Sequence, residues 1–142
     1  MPEEDNCIFC RIVTGDIPCH KLYEDDTTLA FMDINPANPG HALVIPKSHW
    51  PDVATIPAEA IGRVAATAKT IAEAVIAALA PDGLNLVQAN GRGAAQSVPH
   101  LHIHVVPRQR DDGLKLNWGL TPGEPGEIAE WAERIRGELN KK

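Results

Sequence analysis

The sequence predicts an α+β domain: a five-stranded antiparallel sheet with one long helix and a C-terminal helix, the helices segregated to one face. Three observations predict it. Two short apolar strands flank an Asp25-Asp26 turn, a hairpin signal. One unbroken helical period runs from Pro57 to about Ala80. A late segment, Val98 to Val106, alternates histidine with aliphatic residues in the two-residue period of a strand.

In chain order, Ile8 to Val13 is an apolar opening turn or short helix, broken at Gly15 and Pro18. Residues 21–24 and 28–32 are the hairpin strands, and Asn35 to Gly40 is loop by composition. His41 to Pro46 is a strand that its proline ends. The long helix opens at Pro57, which suits a first turn, and stops at Pro81-Asp82-Gly83. Ile61, Val64, Ala65, Ala68, Ile71, Ala72, Val75 and Leu79 form its apolar stripe. Leu84 to Ala89 is a strand, and Asn90 to Ala95 is a glycine-bearing loop. Glu127 to Leu139 is a second amphipathic helix, with Ile128, Trp131, Ile135 and Leu139 on one stripe.

Composition bounds the function. The 142 residues suit one domain, 1–142, with a real core. A net charge of -6 argues against a general nucleic-acid or anionic-membrane surface. No stretch approaches the apolar length of a membrane span. The opening Met1-Pro2-Glu3-Glu4-Asp5-Asn6 is acidic where a secretory signal needs a basic start, so a cytoplasmic protein is expected. Three cysteines (Cys7, Cys10 and Cys19) are odd in number and disfavour a disulfide framework.

Two constellations carry chemistry. His100, His102 and His104 face one way from their strand, while Leu101, Ile103 and Val105 face the other and read as core. Neighbouring imidazoles titrate against each other, so a purely structural strand gains nothing from three of them. Cys7-x-x-Cys10 can grip a tetrahedral zinc if two further ligands exist, act as a redox pair, or lie inert in the core. Cys19 has no partner at a useful spacing, and His20 beside it reads as a solvated polar residue.

The run His100-Leu101-His102-Ile103-His104-Val105-Val106 resembles the motif of the histidine triad nucleotide hydrolases and transferases. Asn90 with Gln96-Ser97-Val98, Phe31-Met32-Asp33-Ile34, and the block from Pro39 to Lys47 are similar to further family blocks in the same order. The resemblance spans about residues 7–110. It implies a HIT-like domain that cleaves a nucleoside monophosphate, AMP above all, from a phosphoramidate or phosphoanhydride. His102 would be the nucleophile, forming a nucleotidyl-histidine, with His104 on the phosphate and His41 as an assisting fourth histidine. An imidazole suits the task because about half of unperturbed histidine is unprotonated near neutrality. Attack needs the other ring nitrogen held in one tautomer and donors around the phosphoryl oxygens.

By the same resemblance Asn90, Gln96, Ser97 and the backbone of residues 94–96 would contact the phosphate or the leaving group. Asp33 would take the sugar hydroxyls, although alone it reads as a turn cap before Ile34-Asn35-Pro36. Phe31 and Ile34, with Ile8 or Phe9, would wall the base. Some branches complete a structural zinc site from the cysteine pair and two histidines, which implies Cys7, Cys10, His49 and His100 here. The family also implies a homodimer through the long helix and an adjacent strand. Trp118 is similar in place to a tryptophan that reaches the partner's site in the purine nucleoside phosphoramidase branch; alone, it reads equally as closing a hydrophobic edge.

Two features depart from the pattern. Ala95 stands where the family has glycine, and a positive φ there would cost about 1 kcal/mol. Val105-Val106-Pro107-Arg108 resembles the fragile-histidine-triad and bacterial branches, whereas the Asn6-Cys7-Ile8-Phe9-Cys10 opening is similar to the phosphoramidase side. Phosphoramidates, acyl-nucleotides and dinucleoside polyphosphates therefore all stand as substrates. A nucleotide-binding module with negligible turnover, and a zinc domain whose histidines serve metal alone, are the competing classes.

Overall fold

Cys7 starts the first helix: its sulfur accepts a hydrogen bond from the Cys10 amide at 3.4 Å, capping α1 (Ile8–Thr14). The computed structural model describes residues 6–141, so the acidic opening 1–5 lies outside the described residues. After α1 come β1 (Lys21–Glu24), β2 (Thr28–Met32), β3 (Ala42–Pro46), α2 (Ala58–Leu79), β4 (Gly83–Gln88), a 3-10 turn at Arg92–Ala94, β5 (Ile103–Arg108) and α3 (Pro125–Leu139). Pro57 is the residue before α2 rather than its first turn. The chain divides into two compact units, Met1–Asp112 and Gly113–Lys142. Among the described residues no helix is long and apolar enough to cross a membrane.

All five strands pair antiparallel in the order β1-β2-β3-β5-β4. α2 lays Val64, Ala68, Ile71, Ala72 and Val75 against Ala30, Val44, Ile103 and Val105 on one face. The opposite face is covered as well, by Cys7 and Phe9 packed on Leu29, Phe31, Leu43 and Ile45. The expected segregation of helices to one face is thus corrected: α1 lies on the other side. Burial on both faces explains why β2 and β3 are continuous apolar runs rather than alternating ones.

The histidine strand also begins later than expected, at Ile103 and not at Val98. The backbone ahead of it has other partners: His100 N–H donates to Val98 O at 2.8 Å and Leu101 N–H to Trp50 O at 2.8 Å. Leu101, Ile103 and Val105 still enter the α2 core, as alternation requires. The second unit carries α3, whose stripe of Ile128, Trp131, Ile135 and Leu139 is exposed, as are Trp118 and Leu120.

Candidate active site and metal centre

The three histidines are held by three different hydrogen bonds, and each bond fixes a tautomer. A carbonyl can only accept, so the bond from His102 Nδ1 to His100 O (2.8 Å) places the proton on Nδ1 and the lone pair on Nε2. Burial lowers the His102 pKa, against the opposing pull of that carbonyl, so the ring is neutral at pH 7. The bond from His100 Nε2 to Pro46 O (2.8 Å) leaves His100 with its lone pair on Nδ1.

His41 is set from the backbone. Ala37 N–H donates to His41 Nδ1 at 2.9 Å, which puts the His41 proton on Nε2. Nε2 in turn lies 2.9 Å from His104 Nδ1 and 3.5 Å from Asp33 Oδ2. His104 Nδ1 therefore accepts, and its own proton sits on Nε2. Burial, then His102 and His41, push the His104 pKa down to about 4. Burial also lowers His41, with Asp33 opposing. In its loop His41 follows Gly40, whose φ of +92 is a conformation that residues with a Cβ rarely adopt. Asn38 pins the same loop by donating to Pro107 O and Asp112 Oδ2, both at 2.9 Å.

His102 and His104 open into a cleft of about 190 Å³. Ile8, Phe9, Phe31 and Ile34 form apolar wall, Asp33 stands at the rim, and Ser97 borders the histidine end. Phe9 meets Phe31 and His102 edge-on, with centroids 5.7 and 5.1 Å apart. One Asp33 oxygen caps the turn by accepting from Asn35 N–H at 2.8 Å, and the other points to His41. Turn cap and site residue are the same side chain.

The loop before the triad is braced from within. Gly91 and Arg92 carbonyls accept the amides of Ala94, Ala95 and Gln96. Gln96 uses both ends of its amide, accepting from Gly91 N–H (2.7 Å) and donating to Pro51 O (2.7 Å) and Val98 O (3.0 Å). Asn90 exchanges two bonds with Gln88 and accepts from Val53 N–H at 2.7 Å. Ser97 remains exposed beside His102 and His104. Ala95 adopts φ +62, the left-handed conformation in which alanine is strained.

Behind the cleft, Cys7, Cys10, His49 and His100 converge. His100 Nδ1 lies 3.3 Å from Cys7 Sγ, 3.5 Å from Cys10 Sγ and 3.2 Å from His49 Nδ1, and Cys10 Sγ lies 3.3 Å from His49 Nδ1. Two sulfurs and two imidazole nitrogens at such separations could hold a metal ion, and their number and type suit tetrahedral coordination. His100 already has the wiring of a ligand, because its other nitrogen donates to a carbonyl. A second cluster, Asp33, His41 and His104, is equally close. There the wiring is wrong for a metal: the nitrogen of His41 that faces the group is the one the Ala37 amide forces to carry a proton.

A family model described as the HIT domain matches residues 14–111. The chain belongs to the HIT family. Over 135 residues, this HIT chain is 40% identical to the adenosine 5'-monophosphoramidase hnt1 of Schizosaccharomyces pombe, covering 94% of this chain and 98% of that protein. It also superposes on a HIT family protein from Bacillus anthracis with TM-score 0.87 at 37% identity, over 94% of this chain and 97% of that one. A zinc-bound histidine triad family protein from Mycobacterium smegmatis matches with TM-score 0.73 at 37% identity, over 97% and 98% of the two chains.

Within the HIT domain, the sequence-derived residues separate into three places. His102, His104, Asp33, Phe31, Ile34 and Ser97 line the cleft, with His41 directly behind His104. Cys7, Cys10, His49 and His100 form the centre behind it. Asn90 and Gln96 brace the intervening loop through bonds to Val53 and Gln88 and to Gly91, Pro51 and Val98. Sequence reasoning missed Ile12, Ile17, Pro18, Cys19 and Leu43 in the cleft wall. Cys19 and Pro18 fall where the chain leaves α1, a stretch without periodicity to flag it. The Ala37 and Pro46 backbone groups that set two tautomers had no side-chain signal at all.

Proposed function

We propose that this protein is a nucleotide hydrolase or transferase that releases AMP from an adenosine phosphoramidate through a nucleotidyl-histidine at His102. One observation carries the reading: the His100 carbonyl holds His102 Nδ1–H, so the Nε2 lone pair of a neutral imidazole faces the cleft. Nε2 attacks the α-phosphorus: the His102 Nε2–P bond forms as the substrate P–N bond breaks, and the amine leaves with a proton taken from solvent. Water then cleaves the Nε2–P bond, returning neutral His102, giving AMP and releasing one proton to solvent. His104 Nε2–H and the Ser97 hydroxyl donate to phosphoryl oxygens, where charge must be met during transfer. Asn90 and Gln96 serve that end by holding the loop, Asp33 accepts from the sugar hydroxyls, and Phe31 and Ile34 flank the base. The monophosphoramidase name of the fission-yeast relative supports this substrate class.

Zinc fits Cys7, Cys10, His49 and His100, and when bound it supplies a structural cross-link between α1, the 49–53 turn and the triad. The donor set and the zinc-bound relative support this reading. The protein is further proposed to act as a homodimer in the cytoplasm. Exposed Ile76, Leu79 and Leu86 favour association, and the free cysteines Cys7, Cys10 and Cys19 favour a reducing compartment. Sedimentation of the purified protein tests the dimer.

The decisive assay incubates an adenosine phosphoramidate with the wild type and with His102→Ala and measures AMP release. The variant should be slower by about 10³-fold or more, and equal release overturns the nucleophile. A diadenosine polyphosphate run in parallel should turn over more slowly; the reverse order assigns the protein to the dinucleoside polyphosphate hydrolases.

A further inference from the structure

The metal centre and the nucleophile share their supports. His100 contributes a ring nitrogen to the centre and a carbonyl oxygen to His102 Nδ1–H. Phe9, between the two cysteines in sequence, meets the rings of both His100 (5.8 Å) and His102 (5.1 Å) edge-on. His49 begins a turn that is rigid in its own right, since Asp52 Oδ1 accepts from the amides of Ala54 and Thr55, both at 3.1 Å. That turn then holds the catalytic loop at three points. Trp50 O accepts from Leu101 N–H, Pro51 O from Gln96 Nε2, and Val53 N–H donates to Asn90 Oδ1. Every one of these bonds comes from a residue within four positions of His49.

We infer that the Cys7–Cys10–His49–His100 centre is a positioning clamp for catalysis: its occupancy fixes the His102 tautomer and the 90–97 loop, and is not needed to hold the sheet. The inference rests on the zinc reading above. The physical reason lies in where the cross-link falls. β2 and β3 are paired along both edges and buried by α2 on one face, and none of these contacts passes through the four ligands. Only the other face, where Cys7 and Phe9 pack on Leu29, Phe31, Leu43 and Ile45, touches the centre. The 49–53 turn and residues 90–102 have no ladder of their own. With the clamp open, the His100 ring loses its anchor on the cysteine side, and its carbonyl loses its fixed direction toward His102. A groove of about 580 Å³ is bordered by Cys7 and His49, two of the four residues of the centre.

The test follows the full-length protein as zinc is withdrawn by a chelator and then restored. Amide exchange at Val53, Gly91 and Leu101 should quicken about tenfold or more, and the ring nitrogens of His102 should leave the single Nδ1–H signature in nitrogen-15 spectra. Amides of Leu29, Phe31, Leu43 and Ile45 should stay protected throughout. Cys10→Ser, with a weakened site, should regain loop protection, the His102 signature and turnover at one common zinc midpoint. Unchanged exchange and an unchanged His102 signature in zinc-free protein overturn the inference, as does loss of β2 and β3 protection together with the loop. These readouts do not depend on turnover. A wild type inactive on adenylyl substrates but showing the zinc-dependent exchange would therefore sink the functional reading and leave the clamp standing.

Discussion

His41 Nε2 donates to His104 Nδ1 across 2.9 Å, and the direction of that bond is decided at Ala37, whose amide occupies the other nitrogen of His41. A backbone N–H thus determines, two rings away, that His104 presents a proton to the cleft. Replacing His41 by leucine should leave His104 free to adopt either tautomer and lower kcat by about 10²-fold. His41→Gln keeps an amide donor and should recover a large part of the loss. Steady-state kinetics of both variants check this, and equal kcat for leucine and glutamine would refute the relay.

Burial holds His104 at about 4 and lowers His102, so both rings lose their proton below the ordinary histidine value. The acid limb of kcat/KM for the phosphoramidate should therefore lie below pH 6.5, and a limb centred at 6.5 or above would contradict the assigned environment.

The same depression has a consequence for folding. The folded pKa of His104 lies below the unfolded value, so the contribution of its neutral form is complete above about pH 6.5. It is lost as pH falls from there toward 4. Urea unfolding at several pH values should show a steeper loss for the wild type than for His104→Gln, by up to one proton per molecule. Parallel slopes would count against it.

Ala95 and Ala80 both have positive φ, +62 and +45. Relieving a left-handed alanine gains about 1–2 kcal/mol, while the freer unfolded glycine chain takes back about 0.4–1 kcal/mol. Ala95→Gly and Ala80→Gly should each gain up to about 1.6 kcal/mol by denaturant unfolding. Ala80 ends α2, away from the cleft, so turnover should change in Ala95→Gly alone.

The Thr28 and Thr67 hydroxyls meet at 2.8 Å, buried between β2 and α2. Thr28 donates to Asp25 Oδ1 at 3.0 Å, so Thr67 must donate to Thr28. Thr28→Val strands the Thr67 hydroxyl and should cost about 2 kcal/mol, whereas Thr67→Val leaves Thr28 its carboxylate partner and should cost about 1 kcal/mol. Thermal or urea unfolding ranks the two, and the reverse order would be decisive against this assignment of donors.

Much of the domain was legible from local pattern. The helical period of Ile61 to Leu79 and the turn at Asp25-Asp26 are short-range signals, and both elements stand where those signals put them. The start of β5 was not legible, because alternation continues through residues 98–102 while their hydrogen bonds go to Trp50 and Val98 instead of a strand. The side of the sheet taken by α1 was equally hidden: seven residues with apolar positions do not say which face they cover. In α3 the amphipathic stripe formed as expected, yet its apolar residues are exposed, since period sets a helix and not its partner.

By itself, the sequence determined the residue types of the chemistry: two cysteines one turn apart, three alternating histidines, and an aspartate closing β2. Tertiary structure alone decided their protonation and their division of labour. A tautomer depends on which backbone group lies within hydrogen-bond reach of each ring nitrogen. Pro46 O reaches the His100 ring only once β3 has packed beside β5, whereas His100 O and Ala37 N–H reach His102 and His41 through local bends of the chain whose shape the surrounding fold sets. Identical imidazoles take up different tautomers because each meets a different partner in the folded chain, and the proposed roles of metal ligand, nucleophile and proton donor follow from that difference.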